Sequence, residues 1–150
     1  MISDLAVGTT PATLYQQPGS DGPLVVVAHG FAGSRQLMQA YSLTLAQSGY
    51  AVLAFDFEGH GRNPVPMSGD VNAIEGTTQR LVDQTLRVLA AGRDLPGAGP
   101  GVALLGHSMA THIIARAAIA DGAAGRSCSG RGGNRDGRGC DAPRGGRPGG

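Results

Sequence analysis

Short apolar runs alternate with amphipathic stretches along residues 12–121, whereas residues 126–150 contain no Val, Ile, Leu, Met, Phe, Tyr or Trp. Leu24-Val25-Val26-Val27-Ala28 and Ala51-Val52-Leu53-Ala54-Phe55 are unbroken apolar runs bounded by turn residues. Such runs predict strands covered on both faces, the habit of parallel sheets. Gly101 to Gly106 predicts a third strand of this kind, and Ala12 to Gln17 a shorter one after a turn at Gly8–Pro11. Between them lie three stretches with helical spacing. Ser34 stands where it could cap a first helix that carries Leu37, Ala40, Tyr41, Thr44 and Leu45 on one side and ends at Gly49. Thr77 or Thr78 opens a second, with Leu81, Val82, Leu86, Val88 and Leu89 as its stripe, closed by Gly92 and Pro96. Ser108 to Asp121 is a third, apolar on most sides and therefore expected to be buried.

The order strand, helix, strand, helix, strand, helix predicts an α/β fold: a mostly parallel sheet with right-handed crossovers and helices on both faces. Ligands of such sheets bind beyond the carboxyl ends of the strands. Two loops stand at such ends, His29–Ser34 and Gly106–Ala110.

Composition divides the chain. Residues 1–125 hold six Arg against nine acidic residues, and residues 126–150 hold six Arg against two Asp with nine Gly among 25 positions. The second segment has too little apolar surface to offset its ordering entropy, so it reads as a disordered Gly/Arg-rich tail. Arg, Gly, Pro, Ala and Cys are also what a GC-rich gene yields when read out of register. The tail is therefore expected to be a frameshift product, not the evolved continuation of the domain at 1–125. An RNA-binding arm is the competing origin, but the tail has no aromatic residue to stack bases.

The net charge of +1 argues against nucleic-acid binding by bulk charge. Lys is absent, which excludes a phosphate-loop lysine, a Schiff-base lysine and a Ser-Lys pair. Cys128 and Cys140 are too few for a disulfide scaffold, and the tail offers no His to complete a zinc site. No apolar run approaches the ~20 residues of a membrane helix, and the first residues show no signal peptide. A cytoplasmic chain without metal or organic cofactor is the expectation.

The sharpest chemical signal is Gly106-His107-Ser108-Met109-Ala110, set between a predicted strand and a predicted helix. That is the context of a nucleophile elbow, in which a tight turn needs small residues two before and two after the serine. The helix behind Ser108 supplies unpaired N–H groups and partial positive charge, which suit a developing oxyanion. The plainer possibility is that Ser108 only caps the helix. His29-Gly30-Phe31 is the second signal: Gly30 lets the chain turn so that the Phe31 N–H, with that of Met109, could form an oxyanion hole. His29 reads as a loop-fixing residue.

These two motifs, with Asp56-Phe57-Glu58-Gly59-His60-Gly61-Arg62, stand in the order found in the α/β-hydrolase superfamily, and the chain resembles the N-terminal half of such a domain over roughly residues 12–121. Ala110 stands where the family's elbow usually has Gly, and Asn63 where its second loop usually has Ser. The resemblance implies a serine hydrolase of the esterase, lipase or acylpeptidase sort, with Ser108 as nucleophile, Phe31 and Met109 as oxyanion donors, and His29, Gly30, Gly106, His107 and Ala110 shaping the site. Its substrate would be a small acyl ester, amide or lactone. A serine acyltransferase would use the same elbow, and a non-catalytic interaction protein with an Arg/Gly-rich tail is the alternative from another class.

In the family the catalytic acid and histidine follow the serine, on loops after later strands. Only His112 follows Ser108, one turn along the same helix, where its side chain runs along the flank. Asp121, Asp136 and Asp141 follow no recognisable strand. Family domains run to about 200–250 residues. The resemblance therefore implies a truncated domain, inactive alone, whose Val102–Leu105 strand becomes an exposed edge prone to self-association.

Overall fold

The structure, a computed structural model, describes residues 1–67 and 73–122. The expected boundary between body and tail at 125/126 lies outside the described residues. The elements are β1 (Ile2–Val7), β2 (Thr10–Tyr15), β3 (Pro23–Ala28), a 3₁₀ turn (Arg35–Met38), α1 (Gln39–Gln47), β4 (Ala51–Phe55), α2 (Ile74–Arg93), β5 (Gly99–Gly106) and α3 (Met109–Ala120).

The strands form one sheet in the order β1-β2-β4-β3-β5. β3 pairs in parallel with β4 on one side and β5 on the other, and β1 and β2 extend the β4 side as antiparallel strands. The sheet is thus mostly parallel where the crossovers are helical, as the alternation of elements predicts. From β3 the chain moves first to one neighbour and then, after α2, to the opposite one. That reversal opens a crevice at the carboxyl end of β3.

Period-2 alternation sorts the strand residues between two layers. Val25, Val27, Val52 and Ala54 face α1, with Met38, Ala46 and Tyr15. Leu24, Val26, Leu53 and Phe55 face α2 and α3, meeting Leu81, Val82, Val88, Leu89, Ile113 and Ala117. Each fully buried Val or Leu of this kind contributes roughly 1.5–3 kcal/mol relative to exposure.

The structure departs from the apolar pattern in four places. β1 has no counterpart in the apolar pattern: it is a solvated edge strand whose residues alternate between exposed and half-buried. The helix after Ser34 begins as a 3₁₀ turn, and the Ser34 side chain makes no capping bond. α1 also turns Ser42 and Ala46, not Leu37, Ala40, Tyr41 and Thr44, onto the sheet. Small side chains there let the helix approach closely, and the Ser42 hydroxyl is satisfied by the Met38 carbonyl at 3.0 Å. Finally, α3 is less covered than its apolarity suggests: only Ala110, Ile113 and Ala117 are buried, because it flanks β5, an edge strand among the described residues.

Candidate functional site

The pairing of β3 with β5 sets Ala28 opposite Gly106. The ladder continues one step further, with the His107 N–H donating to the Ala28 carbonyl at 3.1 Å. The loops that leave the two strands, His29–Ser34 and His107–Ser108, therefore run side by side. Gly30 is the point of contact: a Cβ there would lie 3.0 Å from both the His107 ring and the Ser108 Cβ. Any larger residue at position 30 must push the two loops apart.

Ser108 occupies the turn between β5 and α3 with φ 54° and ψ −119°. A non-glycine residue in this region stores roughly 1–3 kcal/mol of strain and needs its surroundings to hold it there. Gly106 and Ala110 do so. Ala110 is fully buried, and a Cβ on Gly106 would come within 2.9 Å of the Ala110 backbone. The side chain of Ser108 makes no capping bond into α3, so the plain capping role is not what the turn provides. The residue is exposed and lines a cavity of about 300 Å³ with His29, Gly30, Phe31 and His107.

α3 runs away from Ser108, so its positive end lies at this turn. Its first turn is closed by Ala110 N–H to His107 carbonyl at 3.1 Å and Thr111 N–H to Ser108 carbonyl at 2.9 Å. Among the described residues neither the Met109 N–H nor the Phe31 N–H donates to a backbone carbonyl. Phe31 sits in a turn closed by Gly33 N–H to Gly30 carbonyl at 3.0 Å, with Ala32 at φ 55°. Phe31 lies on the cavity wall, and Met109 is the first residue of α3, next to Ser108.

His29 is buried and has both ring nitrogens engaged. Its Nε2 accepts the Phe57 N–H at 3.1 Å, so its Nδ1 carries the proton and donates to the Gly30 carbonyl at 2.8 Å. Burial, with the nearby His60 ring, holds its pKa below the ordinary value of 6.5, against the opposing effects of the Gly30 carbonyl and Asp56. A neutral imidazole tied at both ends fixes the loop and has no free nitrogen to exchange a proton with Ser108. His112 lies exposed on α3, one turn beyond the serine.

Asp56 and His60, loop-building residues by the sequence reading, support the site, and the Arg35 partner of Asp56 is what that reading missed. Asp56, fully buried, accepts the Arg35 N–H at 2.7 Å and the Arg62 N–H at 2.9 Å, and pairs with the Arg35 guanidinium. The guanidinium also donates through Nε to the Thr13 hydroxyl at 2.9 Å. One carboxylate thereby anchors both the end of the Phe31 loop and the Gly59–Asn63 turn. A Cβ on Gly61, which has φ 57°, would collide with that carboxylate. The other support is His60, whose ring lies 5.2 Å from that of His29 and 5.6 Å, edge to face, from that of Phe31. The signal for the first was an Arg opening an otherwise uncharged stretch, Arg35 to Gln47.

No helix among the described residues is long and apolar enough to cross a membrane. No cluster of three metal-ligating side chains occurs among them.

A mostly parallel sheet flanked by helices, with a strained serine turn at the carboxyl end of its last strand, defines an α/β-hydrolase. Residues 20–127 match the family described as serine aminopeptidase, S33, and the chain belongs to that family. A thioesterase domain from the curacin biosynthetic pathway is similar in structure, at 27% identity and a TM-score of 0.60, over 81% of this chain and 42% of that one. Est1E from Butyrivibrio proteoclasticus, solved with ferulic acid bound, shares the fold at 20% identity and a TM-score of 0.64, over 81% of this chain and 48% of its own. An epoxide hydrolase A from Mycobacterium thermoresistibile shares it at 24% identity and a TM-score of 0.57, over 79% and 35%. A stretch of 46 residues is 41% identical to an uncharacterized protein of Mycobacterium tuberculosis (strain ATCC 25618 / H37Rv), covering 31% of this chain and 16% of that protein. The chain thus spans less than half the length of each of these relatives.

Proposed function

We propose that this chain carries the nucleophile and oxyanion cradle of a serine acyl hydrolase acting on a small acyl ester, amide or lactone. Ser108 Oγ is the nucleophile. The backbone N–H groups of Phe31 and Met109 receive the negative charge that develops on the carbonyl oxygen as the tetrahedral intermediate forms. The single observation that carries the reading is the backbone of Ser108, φ 54° and ψ −119°, at the head of α3 and on the wall of the cavity. Strain of this kind is retained at positions where it aims a side chain.

A cavity of about 300 Å³ is at the small end of ligand sites, which favours a short acyl group. Its wall carries no Asp, Glu or Arg. Uncharged substrates therefore fit this reading better than carboxylates or phosphates. Phe31 and Leu37, about seven-tenths exposed, and Tyr41, just over half exposed, present apolar surface beside Ser108 for the same substrate.

Neither His29, with both ring nitrogens tied up, nor His112, exposed on α3, serves as the base at the serine in this reading. In this reading the chain alone acylates slowly and turns over poorly, since a triad that loses its base keeps only the contribution of binding and the oxyanion hole. A fluorophosphonate probe tests the assignment. Covalent labelling that disappears in Ser108→Ala supports it. Labelling that persists in that variant, or none after prolonged exposure of the folded chain, overturns it.

A further inference from the structure

We propose that His60 is the positioning residue for the Phe31 N–H: its ring, set against the rings of both His29 and Phe31, fixes the Gly30–Phe31 peptide in the orientation in which that N–H receives the oxyanion. The inference rests on the reading of Phe31 as an oxyanion donor and adds to it the residue that aims the donor.

The direction of the donor is a property of one peptide unit. Its carbonyl, that of Gly30, accepts the His29 Nδ1–H at 2.8 Å and the Gly33 N–H at 3.0 Å. In a trans peptide the N–H points away from the carbonyl, so whatever holds the Gly30 carbonyl also aims the Phe31 N–H. Gly30 has no Cβ to restrict the unit, and rotation about its backbone bonds would swing the donor elsewhere. The orientation must therefore be held by the residues on either side, His29 and Phe31.

His60 meets both. Its ring centroid lies 5.2 Å from that of His29, tilted by 53°, and 5.6 Å from that of Phe31, at 79°. These are separations and angles at which aromatic rings attract. His60 is not on the wall of the Ser108 cavity, so it acts through these two neighbours and not on a substrate.

The His60 ring is itself on a rigid support. Gly59 and Gly61, at φ 73° and 57°, bend the chain on each side of it, and a Cβ on either would collide, with Met67 in one case and the Asp56 carboxylate in the other. The His60 N–H donates to the Phe57 carbonyl at 3.0 Å, and its Nδ1–H to the Glu58 carbonyl at 2.8 Å. The Glu58 N–H donates to Oε1 of the fully buried Gln84 at 3.1 Å. Gln84 Nε2 donates in turn to the Asp56 carbonyl at 3.1 Å and the Thr10 hydroxyl at 2.9 Å. The loop after β4 is thus tied to α2 and β2, and the Gly59-His60-Gly61 sequence presents one ring from it to the two residues that flank the donor peptide.

Two substitutions in the full 150-residue chain separate the ring from its hydrogen bond. His60→Asn keeps a short amide that can donate to the Glu58 carbonyl and removes the ring, whereas His60→Phe keeps a ring and gives up the bond. The readouts are the rate of fluorophosphonate labelling at Ser108, the ¹H–¹⁵N position of the Phe31 amide, and the melting temperature. His60→Asn should move the Phe31 amide and slow labelling by about tenfold or more, and His60→Phe should recover labelling to within about threefold of the parent. Phe31→Ala breaks the same contact from its exposed side, keeps the N–H, and should slow labelling by as much. Labelling at the parental rate in His60→Asn or in Phe31→Ala overturns the proposal. So does slowing of both His60 variants in step with their loss of melting temperature, which is what a structural role alone would give. A parent chain that is not labelled, or is labelled equally in Ser108→Ala, removes the oxyanion reading itself and the proposal with it, and that control tells the two failures apart.

Discussion

Arg35 and Asp56 form a buried ion pair that joins the Phe31 loop to the loop after β4, with the Asp56 carboxylate also receiving the backbone N–H groups of Arg35 and Arg62. The aspartate is fully buried and the arginine side chain is 5% exposed. Removing one partner strands the other charge away from water. Asp56→Asn is therefore expected to cost about 3–5 kcal/mol of folding stability, read from urea unfolding. A loss below about 1 kcal/mol would show that the pair is dispensable and that the loop is held by other means.

His29 makes stability depend on acid. Its folded pKa lies below the ordinary 6.5, first because of burial. Above that value both folded and unfolded chains hold the ring neutral, and the contribution is fully present. As pH falls below it the unfolded chain takes up the proton first, so stability declines until the folded ring is protonated as well. The melting temperature should drop between about pH 7 and pH 5, and His29→Gln, which cannot titrate, should flatten that drop. An unchanged slope in the variant would assign the acid sensitivity to other groups.

Ser108 should be a position where function and stability conflict. Glycine accepts positive φ without strain, so Ser108→Gly is expected to stabilise the chain by about 1 kcal/mol, while Ser108→Ala, which keeps the Cβ, should leave it nearly unchanged. Thermal melts of the three proteins decide this. A glycine variant less stable than the parent would mean that the hydroxyl or the Cβ contributes more than the strain removes.

Gly30 spaces the two loops. A methyl group there would lie 3.0 Å from the Ser108 Cβ, so Gly30→Ala should displace the serine turn. The expected outcome is covalent labelling of Ser108 slowed by about tenfold or more, with a fold that still melts cooperatively. Labelling at the parental rate would show that the loops can part without consequence.

Much of this architecture is legible in the sequence because unbroken runs such as Leu24–Ala28 and Ala51–Phe55 admit one reading once the helical stretches between them are recognised. The elbow is legible for a different reason: Gly106 and Ala110 flank Ser108 at the only spacing that the tight turn allows. The readings that fail are those that depend on what a face meets. α1 turns its small residues to the sheet because closeness, not apolarity, decides there, and Leu37 and Tyr41 stay out beside the cavity. β1 is invisible in the pattern because a solvated antiparallel edge needs no apolar run. The Arg35–Asp56 pair joins residues 21 apart in the chain, and no local rule couples them.

In the arrangement we propose, Ser108 Oγ faces two backbone N–H groups, those of Phe31 and Met109. Two-dimensional ¹H–¹⁵N spectra of the chain before and after phosphonylation at Ser108 test this most directly. A phosphoryl oxygen seated in the cradle should move the Phe31 and Met109 amide protons strongly downfield and leave the distant β1–β2 hairpin unmoved. An adduct at Ser108 that leaves both of those amides where they were would contradict the account.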